Sequence, residues 1–113
     1  TFLTPDGGWV YVCNSERSSG LGGVSAVRFD VAGNVTQAYS ILTGTTRNCA
    51  GGPTPWGTWL SCEETTNGEV YECSPLLPGS QGIKRPWMGK FQHEAAAVDP
   101  IRRVILLTED QSN

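Results

Sequence analysis

Cys49 and Glu94 open two stretches of this chain that superimpose without a gap at a spacing of 45 residues, and Glu64 and Glu109 close them. At that spacing Asn48-Cys49-Ala50 lies over His93-Glu94-Ala95, and Pro55 lies over Pro100. Each copy brings in a thiol or a carboxylate at its start and delivers a carboxylate at its end. A third strand-like stretch, Val10 to Val12, runs through Cys13-Asn14-Ser15 into Glu16. Anionic side chains gathered at one place repel one another unless a cation sits among them. Oxygen-rich sets suit calcium, magnesium, manganese or iron, and one thiolate pulls towards a transition metal. The spacing therefore predicts a metal centre with Glu16, Cys49, Glu64, Glu94 and Glu109 as ligands. Asn48, Glu63, His93 and Asp110 are its expected supporting neighbours.

Glu63 and Glu64 are adjacent, so on an extended strand they face opposite ways. Only Glu64 aligns with Glu109, which makes Glu64 the inward ligand and Glu63 its neighbour. His93 is the only histidine; it either binds metal or donates to a carboxylate behind the ligands. Each residue also has a plainer reading: a buried small cysteine, solvated charges at strand ends, a structural histidine. Recurrence at one repeat position favours the ligand reading.

The spacing falls within the roughly 40–50 residues of a propeller blade. The chain is expected to be all-β, an incomplete β-propeller of about two four-stranded antiparallel blades and the start of a third. The blade repeats are 1–47, 48–92 and 93–113. Closed propellers typically need about four to eight blades, so the 113 residues read as part of a longer protein, inactive and poorly folded alone. Strands are expected over Trp9 to Cys13, Val24 to Asp30, Val35 to Leu42, Trp56 to Cys62, Glu69 to Cys73 and Arg103 to Leu107. Asn67-Gly68 signals a hairpin. Asn48 to Pro55 is too rich in Gly and Pro for a central strand and reads as an ordered loop or edge segment. Its glycines allow close approach of the backbone to a ligand. Glu94 to Val98 could form one short helical turn. Trp56, Trp59 and Trp87 are expected between blades, and Cys13, Cys62 and Cys73 as structural residues. A Cys62–Cys73 or Cys13–Cys62 disulfide is open.

Net charge is −3 and the isoelectric point about 5.0, which argues against nucleic acid as a partner, since that wants a basic face. No apolar run approaches the roughly 18 residues of a membrane span. There is no GxSxG elbow, P-loop or HExxH, and the four cysteines form no CxxC. Arg47, Lys84 and Arg85 could meet an anionic substrate but read as ordinary surface charges.

From Asn48 through Cys49-Ala50-Gly51-Gly52-Pro53-Thr54-Pro55-Trp56-Gly57-Thr58-Trp59 to Leu60-Ser61-Cys62-Glu63-Glu64, the chain strongly resembles the PhoX-type secreted bacterial alkaline phosphatases. Met88 to Pro100, Leu107 to Asp110 and Gly22 to Asp30 look like further blocks of that family. The resemblance implies a β-propeller phosphomonoesterase using iron and calcium, acting on small-molecule phosphate esters in the periplasm or outside the cell. It implies metal ligation by Cys49, Glu64, Glu94 and Glu109, with Glu16 joining through a small insertion, and makes Cys49 and Glu94 the expected catalytic residues. Two other readings stay open: a non-catalytic extracellular propeller with structural calcium, and a propeller lactonase or esterase.

Overall fold

A computed structural model describes residues 1–111. Burial alternates along the apolar run that opens Trp9–Ser15, with Val10 buried, Tyr11 exposed, Val12 half-buried and Cys13 exposed. A period of two marks a strand with one face on a core. This strand (β2) lies between Phe2–Leu3 (β1) and Gly22–Phe29 (β3), and Val35–Thr45 (β4) closes an antiparallel sheet in chain order. The turn into β2 runs Thr4-Pro5-Asp6-Gly7-Gly8. The Gly7 N–H donates to the Thr4 carbonyl at a backbone φ of +86°, which favours glycine. Between β3 and β4 the Asp30 carboxylate accepts the N–H groups of Ala32 and Asn34, an Asx-type turn.

The second sheet repeats the plan. Asn48–Pro53 (β5), Trp59–Glu63 (β6), Val70–Cys73 (β7) and Ile83–Lys84 (β8) pair antiparallel in chain order. His93–Asp99 (β9) and Val104–Glu109 (β10) pair antiparallel as a third sheet. The chain is thus all-β, built of successive antiparallel sheets of the kind that make propeller blades, and the set is not closed. The helical content among the described residues is one 3-10 turn, Pro86–Met88. No described helix is long and apolar enough to cross a membrane.

Two apolar clusters join the sheets. Val10, Val24, Ala26, Ile41 and Leu42 of the first sheet pack with Cys73 of the second, flanked by Trp59 and Tyr71. Leu60, Cys62 and Val70 of the second pack with Ala96 of the third, flanked by Val98, Ile105 and Leu107. The middle sheet is therefore covered on both faces, which is why four consecutive residues of β6, Leu60 to Glu63, are all buried.

Several local expectations need correction. Residues 94–98 are strand, not a helical turn: β9 pairs with β10 over Val104↔Asp99 to Leu107↔Ala96, and that ladder overrides alanine's helical preference. Of the two forms expected for the Gly- and Pro-rich Asn48–Pro53, it takes the edge segment and not the loop, as a six-residue strand. Its glycines make room for protein backbone: a Cβ on Gly51 would lie 1.8 Å from the Leu60 carbonyl oxygen, and one on Gly52 1.9 Å from that of Ala96. The hairpin signalled by Asn67-Gly68 does form, between β6 and β7, but through a longer connection from Glu64 to Glu69, where the Gly68 N–H donates to the Thr65 carbonyl. Trp59 packs between sheets, but Trp56 and Trp87 are exposed. Trp56 donates its indole N–H to Glu72, and Trp87 lies beneath the Arg85 guanidinium. Cys13 is exposed, and all four cysteines are free thiols.

Candidate metal centre

Antiparallel pairing puts the start of β5 beside the end of β6, with Asn48 opposite Glu63. Likewise His93 at the start of β9 stands opposite Glu109 at the end of β10. The repeat thereby brings its opening and closing residues to one end of each sheet. At the first of these ends, one ligand atom each from Glu16, Cys49 and Glu64 lie within 4.8 Å of one another. Glu16 follows β2, Cys49 is the second residue of β5, and Glu64 follows β6, bridging to Gln92.

The Cys49 thiol pKa is pushed up to about 11. Burial is the main cause, followed by a hydrogen bond to Glu64 and the negative charges of Glu16, Glu64 and Glu94. A thiol held protonated by carboxylates becomes a thiolate when a cation joins them, because the cation reverses the local charge. The donor set fits such a cation: one sulfur and two carboxylates, half-buried or exposed at a strand end. Arg47 lies against the same carboxylates, with Nη2 3.1 Å from Glu64 and 3.6 Å from Glu16.

Beneath Cys49 a chain of buried polar groups ties β5 to both neighbours. The Thr45 hydroxyl donates to Asn48 Oδ1 (2.6 Å), and Asn48 Nδ2 donates to Ser61 Oγ (2.9 Å). Ser61 and the Trp59 indole donate to Asn14 Oδ1, and Asn14 Nδ2 donates to the Ala50 carbonyl at 2.7 Å. The backbone on both sides of Cys49 is therefore fixed from the interior. Glu63, buried, accepts the N–H groups of Thr46 and Glu69. It holds together the two connections that carry Arg47 and Glu64.

The other predicted residues stand apart from the group of three. Glu94 is exposed on β9, and its charge reaches Cys49, but its oxygens are not among the clustered atoms. Glu109 and Asp110 are exposed at the end of β10, outside the cluster, with the Asp110 N–H donating to Gln92. His93 points into the protein. Its ring lies 3.6 Å from that of Phe91, and Nε2 is 3.1 Å from the Gly89 carbonyl, which makes Nε2 the donor. Nδ1 is buried without a partner, so His93 supports a loop and not a carboxylate.

Two residues escaped the sequence reading. Arg47, which reads as an ordinary surface charge, pairs with two members of the cluster. Asn14 has a signal in the turn Thr4-Pro5-x-Gly7-x-Trp9, which recurs as Thr54-Pro55-x-Gly57-x-Trp59 fifty residues on. That second spacing sets Asn14 over Glu64, the position whose side chain matters in the next sheet.

Fold and site together define an all-β protein of propeller-type sheets with sulfur and carboxylate groups gathered at strand ends. Residues 6–113 match the family described as alkaline phosphatase PhoX. The chain belongs to that family. Among curated proteins and among solved structures, nothing matches it.

Proposed function

We propose that this chain carries part of the active site of a metal-dependent phosphomonoesterase acting outside the cytoplasm, with iron and calcium as its cations. Family membership supports the phosphatase class. The observation that carries the metal dependence is the convergence of Glu16, Cys49 and Glu64 within 4.8 Å. Cys49, Glu16 and Glu64 would hold cations there, with Glu94 as the adjoining carboxylate on the reacting side. Bound cations would supply Lewis-acid polarisation of the phosphoryl oxygens. The chain's own part is rigid positioning. The Asn14–Ser61–Asn48–Thr45 hydrogen bonds fix β5 under Cys49, and Glu63 braces the loops on either side.

The test is the metal content of the purified full-length protein together with hydrolysis of a chromogenic aryl phosphate. Iron with calcium and alkaline turnover are expected, and turnover is lost in the Cys49→Ser, Glu94→Gln double variant. Turnover that survives the double variant overturns the catalytic reading. Calcium alone without turnover leaves the ions as staples between blades.

A further inference from the structure

Arg47 occupies a place no surface charge needs. Its φ is +50°, a left-handed backbone conformation unusual for a residue with a side chain. Such a conformation persists only where the surroundings fix it. Here they do: the Arg47 N–H donates to the Arg17 carbonyl (2.7 Å), and its carbonyl accepts the Glu64 N–H (2.8 Å). The connection just before it is held by Glu63 through the Thr46 N–H (2.8 Å). Both residues that receive the Arg47 backbone adjoin or belong to the cluster, so its guanidinium is anchored at the cluster's edge. Half of the side chain is open to solvent. Among the described residues it is the cation seen paired with Glu16 and Glu64.

We propose that Arg47 is the residue that binds and orients the phosphoryl group of the substrate, and that its pairing with Glu16 and Glu64 is its resting position. This rests on the phosphatase reading above. The two carboxylates that hold Arg47 are both members of the group a cation would take. Once they turn to the cation, the guanidinium keeps its backbone anchor but loses its partners. Its planar fork of five donors then faces solvent beside a positively charged centre, and the ligand that matches such a fork is a phosphate or its monoester. The same geometry makes Arg47 a competitor of the cation in the ligand-free protein.

Two binding measurements on the full-length protein test this, independent of turnover. Calcium and ferrous iron are each titrated into the metal-free wild type, Arg47→Lys and Arg47→Met. Inorganic phosphate is then titrated into the metal-loaded forms. In Arg47→Met, cation affinity is expected to rise several-fold and phosphate affinity to fall at least tenfold, with KM for an aryl phosphate rising more than kcat falls. Arg47→Lys, which keeps the charge without the fork, should lie between. Thermal melts show that the variants fold, and Arg47→Lys carries the test if Arg47→Met does not. Cation binding preserved with unchanged phosphate affinity overturns the role of Arg47 alone. No cation binding in the wild type overturns the phosphatase reading and this inference with it.

Discussion

Asn48 and His93 open equivalent strands 45 residues apart, and both are fully buried. Asn48 bonds both ends of its amide to neighbouring strands, whereas His93 leaves Nδ1 unpartnered. The residues that follow them differ as sharply. Cys49 sits within 4.8 Å of two carboxylates, while Glu94 is exposed and outside that group. The repeat sets which strand end a side chain occupies. The adjoining sheet sets what it meets there. At the junction of the first two sheets, the end of β2 supplies Glu16 and the connection after β4 supplies Arg47. At the junction of the second and third, Leu60, Cys62, Val70 and Ala96 form an apolar contact, and the carboxylates of β9 and β10 lie at its edge.

The largest expected effect breaks this contrast at the ligands. Cys49→Ser and Glu64→Gln should each lower cation affinity by more than roughly 100-fold, beyond the 10–100-fold typical of residues that only support a ligand. Glu109→Gln should cost less than about tenfold. Calorimetric titration of calcium and iron into the full-length protein measures all three. Equal losses would mean that both junctions serve one site alike.

Next comes the seam between the sheets. A Cβ at Gly52 would meet the Ala96 carbonyl oxygen at 1.9 Å, and backbone cannot swing aside. Gly52→Ala should destabilise by about 3 kcal/mol, the upper range of overpacking effects. Gly57 has a φ of +87° but open space where its Cβ would go. Gly57→Ala should cost about 1 kcal/mol, from backbone conformation alone. Urea unfolding compares the two.

A smaller effect separates the two opening residues. Asn48→Ala leaves Thr45 and Ser61 without their buried partner, which costs about 2 kcal/mol. His93→Phe removes one hydrogen bond but also the unpartnered Nδ1, while keeping a ring against Phe91, so its cost should stay below about 1 kcal/mol. A larger loss in His93→Phe than in Asn48→Ala would show the second junction to be the more tightly built.

Much of this architecture is legible before any coordinates. Alternation and turn residues mark the long strands, and repeat arithmetic identifies the strand ends that carry Glu64 and Glu109. Cys13, expected as a structural residue, faces out instead, because parity along β2 opposes it to the buried Val10. What escapes depends on neighbours distant in sequence. β1 and β8 are two residues each, too short for any period. The run Glu94 to Val98 has alanines that favour helix in isolation, and only pairing with β10 makes it strand. Arg47 is one basic residue among eight. Its importance comes from Arg17, Glu16 and Glu64 folding around it. The convergence of one thiol and two carboxylates likewise depends on how two sheets sit against each other, which no local pattern encodes.

The mildest test concerns the buried thiols, one in each junction. Cys73 packs in the first apolar cluster and Cys62 in the second. Burial pushes both thiols from the ordinary 9.0 up to about 12. A thiol with a higher pKa folded than unfolded keeps its proton longer in the folded state. Its contribution is therefore complete below pH 9 and is lost as pH rises towards 12. The slope is about 1.4 kcal/mol per pH unit for each thiol. Cys62→Ala and Cys73→Ala should each flatten the alkaline fall in melting temperature by one such step, whatever they do at neutral pH. The two are not equivalent, because the negative charge of Cys49 adds to the shift at Cys62 and the charge of Glu72 to that at Cys73. Cys49→Ser should accordingly bring the upper end of the Cys62 window to slightly lower pH and leave that of Cys73 unchanged, with both onsets staying near pH 9. Identical movement of both upper ends would mean that the charge of Cys49 does not distinguish the two junctions.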